Sequence, residues 1–452
     1  MEKFDLAIIG AGPAGYEAAD FAAKNGLKTV LIEKNNLGGT CLNSGCIPTK
    51  TLLHTADLYH DVVAQAEKIG LSYGEFNYDM ANMQQRKEEV LSTLREGIAK
   101  LMKMRKVTVL NGVGTIVGDN QISIENETEK QLIEADKILI TTGSIPAMPP
   151  IEGAQFTLTS DELLSSTEAY DNLIIIGGGV IGIEFASLYT ALGKKVIIIE
   201  ALDRILANMD KEFAQSLKML LTKKGAQIHV KSIVTKIEQE NGKYICHYTE
   251  KDKAQTVTGD CVLMAVGRRP YSANLFGAGF SVEMDRNCIK VNENYQTSVS
   301  NIYAAGDVIG GIQLAHTATA EAINAICHML GRKMVYDTSL IPSCVYTNPE
   351  IASVGMTADE AKKIGKKVIT LKYAMGANGK TVLSLQERSF VKVIVEPETK
   401  LILGAQMMCA RATDMISQFT QAIANKLTLE DMEKVIYPHP TFSEAIGKVI
   451  EQ

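Results

Sequence analysis

Residues 5–15 read Asp5-Leu-Ala-Ile-Ile-Gly10-Ala-Gly12-Pro-Ala-Gly15, and residues 173–182 read Leu173-Ile-Ile-Ile-Gly177-Gly-Gly179-Val-Ile-Gly182. Each opens with a short apolar run, the pattern of a strand buried on both faces of a parallel sheet. Each run ends in glycines spaced Gly-x-Gly-x-x-Gly and passes into a helical stretch, to about Lys24 in the first copy and through Leu192 in the second. A second strand follows each helix: Lys28 to Ile32 closed by Glu33, and Lys195 to Ile199 closed by Glu200. In both copies the acid stands 23 residues after the first glycine.

The three glycines have separate jobs: a tight turn, close approach of backbone to a pyrophosphate, and close packing of helix on strand. A diphosphate then rests on the helix N-terminus, where free N–H groups and the helix dipole favour an anion. The acid accepts a hydrogen bond from a ribose 2′-OH. One such glycine pattern is weak evidence, but the whole series of strand, turn, helix, strand and acid recurring at one spacing is specific. Two dinucleotide sites are therefore expected, one at Gly10, Gly12, Gly15 and Glu33, the other at Gly177, Gly179, Gly182 and Glu200. A carboxylate at position 200 would repel the 2′-phosphate of NADP, so NAD is expected; Arg204, four positions on, points the other way.

The rest of the composition sets limits. At 452 residues the chain is too long for one ordinary core and implies roughly two to four domains. It is 46% hydrophobic and 22% charged, with no Trp, as expected of a globular protein. A net charge of −6 and a pI near 5.8 argue against nucleic acid or an anionic membrane as partner. No apolar run reaches the ~18 residues a membrane helix requires. The longest, Leu173 to Ala186, is broken by glycines and Glu184. With a first strand expected from Asp5, a cleaved leader has no room, and a cytoplasmic enzyme is expected.

Of eight cysteines, six (Cys246, Cys261, Cys288, Cys327, Cys344 and Cys409) are scattered and read as small buried hydrophobes. The seven histidines make no helical pair with a nearby acid, so no metal site is expected. Cys41 and Cys46 differ, lying together in Gly38-Gly-Thr-Cys41-Leu-Asn-Ser-Gly-Cys46-Ile-Pro-Thr-Lys50. As a structural disulfide so short a loop would contribute only about 2 kcal/mol. A redox couple makes more chemical sense: one sulfur exchanges with an incoming substrate while the other passes electrons inward. Attack needs a thiolate, so positive potential such as a helix N-terminus is expected beside the pair.

With those cysteines in view, the chain resembles the pyridine nucleotide–disulfide oxidoreductases along essentially its whole length. The likeness rests on the cysteine segment, the two glycine units, Ala304-Ala-Gly-Asp307 and His439-Pro-Thr-Phe-Ser-Glu444. Its form is most similar to the dihydrolipoamide dehydrogenases of that family. The resemblance implies an α/β fold of two Rossmann-like domains, for FAD and then NAD, with a C-terminal α+β dimerisation domain. It implies Cys41 as the interchange thiol, Cys46 against the flavin, Lys50 near flavin N5, and Glu184 paired with that lysine near the nicotinamide. Asp307 would meet the ribityl chain, the helix from Ala315 and His316 would point at the flavin's pyrimidine edge, and Gly114, Thr142 and Gly143 would complete the FAD site. Gly267 would lie with the NAD group. His439 would act as acid–base, supported by Glu444 and supplied by the other subunit of a homodimer with shared active sites.

Three features favour lipoyl groups over glutathione: the Leu-Asn-Ser-Gly spacer between the cysteines, Val180 where glutathione reductases carry a tyrosine, and Glu200. Mercuric reductases fit poorly, because His439 is present and a C-terminal vicinal cysteine pair is not. Ser44 and Thr49 depart from the commonest lipoyl pattern. The implied reaction reoxidises dihydrolipoyl groups carried on a separate protein of a 2-oxo acid dehydrogenase, glycine cleavage or acetoin system. The alternative enzyme is an NAD(P)H-dependent reductase of another small disulfide such as glutathione disulfide. A purely structural subunit would have no need of the cysteine pair together with His439 and Glu444. The expected divisions are 1–146 (FAD, first part), 147–267 (NAD), 268–339 (completing the FAD site) and 340–452 (interface). A long helical excursion is expected from Asp57 to about Arg105.

Overall fold

The computed structural model describes residues 1–452 apart from Arg388. The chain divides into two compact units, one of residues 1–51, 81–147 and 267–338, the other of 52–80, 148–266 and 339–452. It is an α/β protein with two parallel nucleotide-type sheets and a C-terminal antiparallel sheet with helices.

The first unit is built on a seven-stranded sheet. Strand Glu2–Ile9 pairs in parallel with Thr29–Glu33 on one side and Lys130–Ile140 on the other, and Thr108–Asn111 extends the parallel run. Ile302–Ala304 returns late in the chain to lie parallel on Lys130–Ile140. Gln121–Glu125 and Val113–Gly118 continue the sheet as an antiparallel edge. The apolar runs read from the sequence are the central strands, with Leu6, Ile8, Leu31 and Leu139 buried on one face and Ala7, Val30, Ile32 and Ile138 on the other. The first strand starts at Glu2 rather than Asp5, because Glu2 and Lys3 already pair with Ile133 and Glu134.

The second unit repeats the parallel order. Gln227–Val230, Lys195–Glu200, Asn172–Ile176 and Cys261–Met264 lie side by side in that sequence, all parallel. A three-stranded antiparallel sheet, Ser232–Glu240, Lys243–Glu250 and Lys253–Gly259, follows. The C-terminal part is a five-stranded antiparallel sheet in the order Ser343–Val345, Glu350–Gly355, Ile402–Cys409, Phe390–Val395, Ile369–Ala374. Helices Ala412–Ala424 and Glu444–Ile450 cover it through Met415, Ile416, Phe419, Ile446 and Val449.

Within this unit Lys392, 6% exposed on strand Phe390–Val395, is ion-paired to Asp210 at 2.9 Å and to Glu212 at 3.0 Å. Asp210 is also the N-cap of helix Lys211–Lys223, accepting from Glu212 N at 2.9 Å. Removing one partner of a buried pair strands the other charge. Lys392→Ala is therefore expected to cost about 3–5 kcal/mol, read as a lower denaturation midpoint.

The helical excursion ends at Met104, as expected, but differs from expectation at its start and in its middle. The helix runs Cys46–Gln65, and a short 3-10 turn follows at Ala66–Ile69. Helical structure is then interrupted at Gly70, whose φ is +81°, and resumes at Met80–Met104. Pro48 sits in the first turn, where its missing N–H costs no hydrogen bond, so the helix starts at the second cysteine and not eleven residues later.

Candidate active site

The glycine loops are the same construction twice. Gly10 has φ +102° and Gly177 φ +109°, and a Cβ there would lie 2.5 Å from Thr141 O or 2.4 Å from Ala265 O. A Cβ on Gly15 or Gly182 would stand 1.9 or 2.2 Å from the carbonyl of Gly10 or Gly177, so each helix packs directly on its turn. Gly12 and Gly179 are different. They are the extended N-caps of helices Pro13–Lys24 and Val180–Ala191. A Cβ on Gly12 would meet only Gly39 Cα at 3.9 Å, and one on Gly179 nothing within 4 Å. Packing within the chain does not demand glycine at either position, whereas a diphosphate laid on the helix end does. Neither helix has a side-chain cap or an acid in its first turn, leaving N–H groups for an anion. The residues present therefore fit a bound dinucleotide at both loops.

The two acids do more than the sequence suggests. Glu33 accepts from Ala11 N at 2.7 Å and Asn35 N at 2.9 Å, and Glu200 from Gly178 N at 2.5 Å and Leu202 N at 2.6 Å. Each carboxylate fastens its glycine loop to the end of the second strand while keeping lone pairs for a ribose hydroxyl. Arg204 is committed locally, donating to Ala207 O at 2.9 Å and pairing with Asp203 at 3.3 Å. Gly182→Ala is expected to displace the second loop, raising KM for the nicotinamide about tenfold or more. FAD content should stay unchanged, and flavin absorbance beside steady-state kinetics checks both.

The cysteines lie in the first unit. Cys41 is on the short helix Gly39–Ser44 and Cys46 opens the helix Cys46–Gln65. At the intervening Gly45 a Cβ would be 2.9 Å from Thr40 O, so the chain folds back closely enough to bring the thiols together. The Cys41 thiol is held up by its hydrogen bond with Cys46, by burial and by negative charge at Cys46, while Lys50 opposes the shift. Two thiolates side by side are thus disfavoured, and the helix N-terminus at Cys46 offers the positive potential a single one needs. Thr49, 6% exposed, turns its hydroxyl back to Gly45 O at 2.6 Å. Asn43 donates to Leu37 O and Gly39 O and accepts from Arg95, stapling the loop.

In the same unit Asp307 accepts from Ser144 Oγ at 2.5 Å, and Arg268 donates to Ser144 Oγ and to Ser144 O, both at 2.8 Å. Gly306 N donates to Glu321 at 2.8 Å, and burial, with Asp307 adding, pushes the Glu321 carboxyl up to about 7. Helix Ala315–Met329 begins without a side-chain cap. Thr142 Oγ donates to Tyr271 O at 2.6 Å, and Gly143 O accepts from Tyr271 N at 2.9 Å. Gly114 is a packing glycine, its absent Cβ 3.2 Å from Ile9 and Ile32. Gly267 begins the segment that returns to this unit, its carbonyl accepting from Ala147 N at 2.9 Å.

The second unit carries the remaining residues. Glu184, 4% exposed on Val180–Ala191, accepts from Tyr346 N at 3.1 Å. His439 Nδ1 lies 2.9 Å from Glu444 Oε1, and Thr441 N donates to Glu444 Oε2 at 2.8 Å. The His439 side chain is 77% exposed and that of Glu444 24%. The His439 hydrogen bond, then that from Thr441 N, holds the Glu444 carboxyl below its ordinary range. With Nδ1 tied to a carboxylate, the ring's Nε2 is the atom left for proton transfer.

Sequence reasoning missed Arg95, Ser144, Arg268 and Glu321, single polar residues without a motif, and gave Asn43 of the cysteine spacer no role of its own. It also placed Cys288 and Cys344 in the interior, where they are half-buried; Cys246, Cys261, Cys327 and Cys409 are buried. Among the described residues, no His/Cys/Asp/Glu group suited to a metal occurs.

The geometry has close relatives. The family model for pyridine nucleotide-disulphide oxidoreductases matches residues 4–322, and that for the family's dimerisation domain matches 341–450. A dihydrolipoyl dehydrogenase of Bacillus subtilis is 40% identical over 464 residues, spanning 99% of this chain and 97% of its own. One of Chlamydia pneumoniae is 38% identical over 451 residues, spanning 98% and 95%. A HOCl-induced flavoprotein disulfide reductase of Escherichia coli, solved as a Cu(II) complex, superposes with a TM-score of 0.88 at 29% identity, spanning 100% and 99%. With family models matching residues 4–322 and 341–450, spans that include the glycine loops, the cysteine pair and the histidine–glutamate pair, the chain belongs to the pyridine nucleotide-disulphide oxidoreductase family.

Proposed function

We propose that the protein is an FAD-containing oxidoreductase that reoxidises protein-bound dihydrolipoyl groups and reduces NAD+. Its likeness along the whole chain to relatives of that activity carries the reading. It works as a homodimer through its C-terminal dimerisation domain, and His439 of one subunit serves the cysteine pair of the other. The lipoyl group arrives on a separate protein of a 2-oxo acid dehydrogenase, glycine cleavage or acetoin system, in the cytoplasm. Among the described residues no helix is long and apolar enough to cross a membrane. Segments 1–146 and 268–339 serve FAD, 147–267 serves NAD and 340–452 the subunit interface.

Gly10, Gly12, Gly15, Glu33, Lys50, Gly114, Thr142, Gly143, Asp307 and Ala315 hold FAD, and Gly177, Gly179, Gly182, Glu184, Glu200 and Gly267 hold NAD. Bound there, the cofactors supply two-electron transfer from a dithiol to a nicotinamide. The protein's own work is thiol–disulfide exchange, starting from the Cys41–Cys46 disulfide. His439 Nε2 takes the proton of a dihydrolipoyl thiol, and the resulting thiolate attacks Cys41 Sγ. The Cys41–Cys46 bond breaks, leaving a mixed disulfide on Cys41 and a thiolate on Cys46. The second dihydrolipoyl thiol then attacks its neighbour in the mixed disulfide, closing the lipoyl ring and releasing Cys41 as a thiol, the attacking group's proton passing to the departing Cys41 sulfur. Glu444 holds the imidazole in the working tautomer and offsets the positive charge it gains.

Steady-state rates with dihydrolipoamide and NAD+, dihydrolipoamide and NADP+, and glutathione disulfide with NADH or NADPH test this reading. The first pair is expected to exceed the others by at least about a hundredfold, the scale on which a site built for one substrate rejects another. A faster rate with glutathione disulfide would overturn it in favour of a glutathione-type reductase.

A further inference from the structure

His439 sits in the loop that precedes the helix Glu444–Ile450: Pro438 and Pro440 have no N–H to give, and the His439 side chain is 77% exposed. Tyr437 and Phe442 pack against the core on either side, and Thr441 supplies the polar ties. Its N–H donates to Glu444 Oε2 at 2.8 Å, its hydroxyl donates to Pro438 O at 2.8 Å, and its carbonyl accepts from Asn378 Nδ2 at 2.9 Å. Asn378 lies more than sixty positions away and is 4% exposed. Its other atom, Oδ1, accepts from Thr381 N at 2.9 Å and Thr381 Oγ at 3.0 Å, capping the helix Gly379–Leu383. A backbone N–H can only donate, so that cap settles which end of the amide faces Thr441: the NH2 group. Asn378 N in turn donates to the carbonyl of fully buried Met375, which belongs to the core under the C-terminal sheet.

We propose that Asn378 is a positioning residue for the acid–base pair: it ties the core through the Thr441 carbonyl to the turn that joins His439 to the helix start at Glu444. This rests on the function proposed above, in which His439 takes the substrate proton. Asn378 touches neither substrate nor cofactor. It acts by keeping Thr441 where its N–H orients the Glu444 carboxylate toward His439 Nδ1. The side-chain reach and the donor are both required. Aspartate keeps the cap and the size but turns an oxygen toward the Thr441 carbonyl, and serine keeps the cap but is too short to reach it.

The test compares Asn378→Asp and Asn378→Ser with the parent holoenzyme in three measurements. Dihydrolipoamide oxidation with NAD+ is expected to lose about tenfold or more in kcat, with the acid limb of its pH profile moved. NADH-dependent quinone reduction, which bypasses the dithiol site, should stay within about twofold, the size of an ordinary remote effect. Hydrogen–deuterium exchange should speed up in the peptide carrying the Thr441 amide while the rest of the C-terminal sheet keeps its protection. Equal loss in the two activities, or faster exchange throughout that sheet, would make Asn378 merely structural and overturn the proposal. Unchanged exchange at Thr441 in both variants would overturn it too. If the parent protein fails to oxidise dihydrolipoamide, the function reading falls, and the exchange measurement still decides whether Asn378 holds the loop.

Discussion

Cys46→Ser is expected to lower dihydrolipoamide oxidation by on the order of 10⁴-fold or more, the scale set by removing a group that acts as one unit with its partners. Serine is nearly isosteric and keeps the helix start at position 46, so the fold and FAD content should survive. What it cannot do is form or release a disulfide with Cys41. The first exchange would have no bond to break, and no electrons could move inward from substrate. Reduction of a quinone by NADH needs neither sulfur and should persist, which separates loss of the couple from loss of the cofactors. Cys41→Ser should give the same pattern. Retention of more than a few per cent of the dithiol activity in either variant would remove the couple from the reaction.

His439→Gln is expected to cost about 10²- to 10⁴-fold in kcat for dihydrolipoamide, the usual range for a positioned acid–base. Glutamine fills similar space and still offers a hydrogen-bond donor to Glu444, which it meets now at 2.9 Å from Nδ1. The deficit carries a pH signature. A free thiol ionises near pH 8.5, so below that the parent gains most from a base and above it substrate supplies its own thiolate. The ratio of parent to variant should therefore shrink as pH rises from 6 to 9, and a constant ratio would deny His439 the role of base. Stability does not confuse that comparison. The folded Glu444 carboxyl is depressed below its ordinary value of 4.5, so what it contributes is fully present above that value and is lost only as pH falls further.

The parts of the site that could be read from the sequence are those whose chemistry is local. The glycine loops are legible because turn, diphosphate platform and helix packing all fall within six residues, and because the series occurs twice. Cys41 with Cys46 and His439 with Glu444 are each five residues apart, close enough for one loop or one helix start to join them. The parts that were not legible depend on distant partners. Ser144 is 124 positions from Arg268 and 163 from Asp307, and no periodicity links them. Glu321 reads as one more acid on a helix until the fold lays Gly306 N on its carboxylate. The helix start at Cys46 was legible and missed, since Pro48 in a first turn is itself a start signal. The bracing by Glu33 and Glu200 was half legible: spacing marked the acids, but only the folded loops reveal that Ala11 N and Gly178 N are already bound to them.

The most direct test of the electron route through Cys41 and Cys46 is anaerobic alkylation of the native holoenzyme with iodoacetamide, followed by peptide mapping. As isolated in oxidised form, neither cysteine should be modified. One equivalent of dihydrolipoamide should open the couple and allow Cys41 to be alkylated, and NAD+ added before the reagent should close it again and protect Cys41. Alkylation that is the same in all three conditions would contradict the route, because electrons would then pass between dithiol and nicotinamide without those sulfurs.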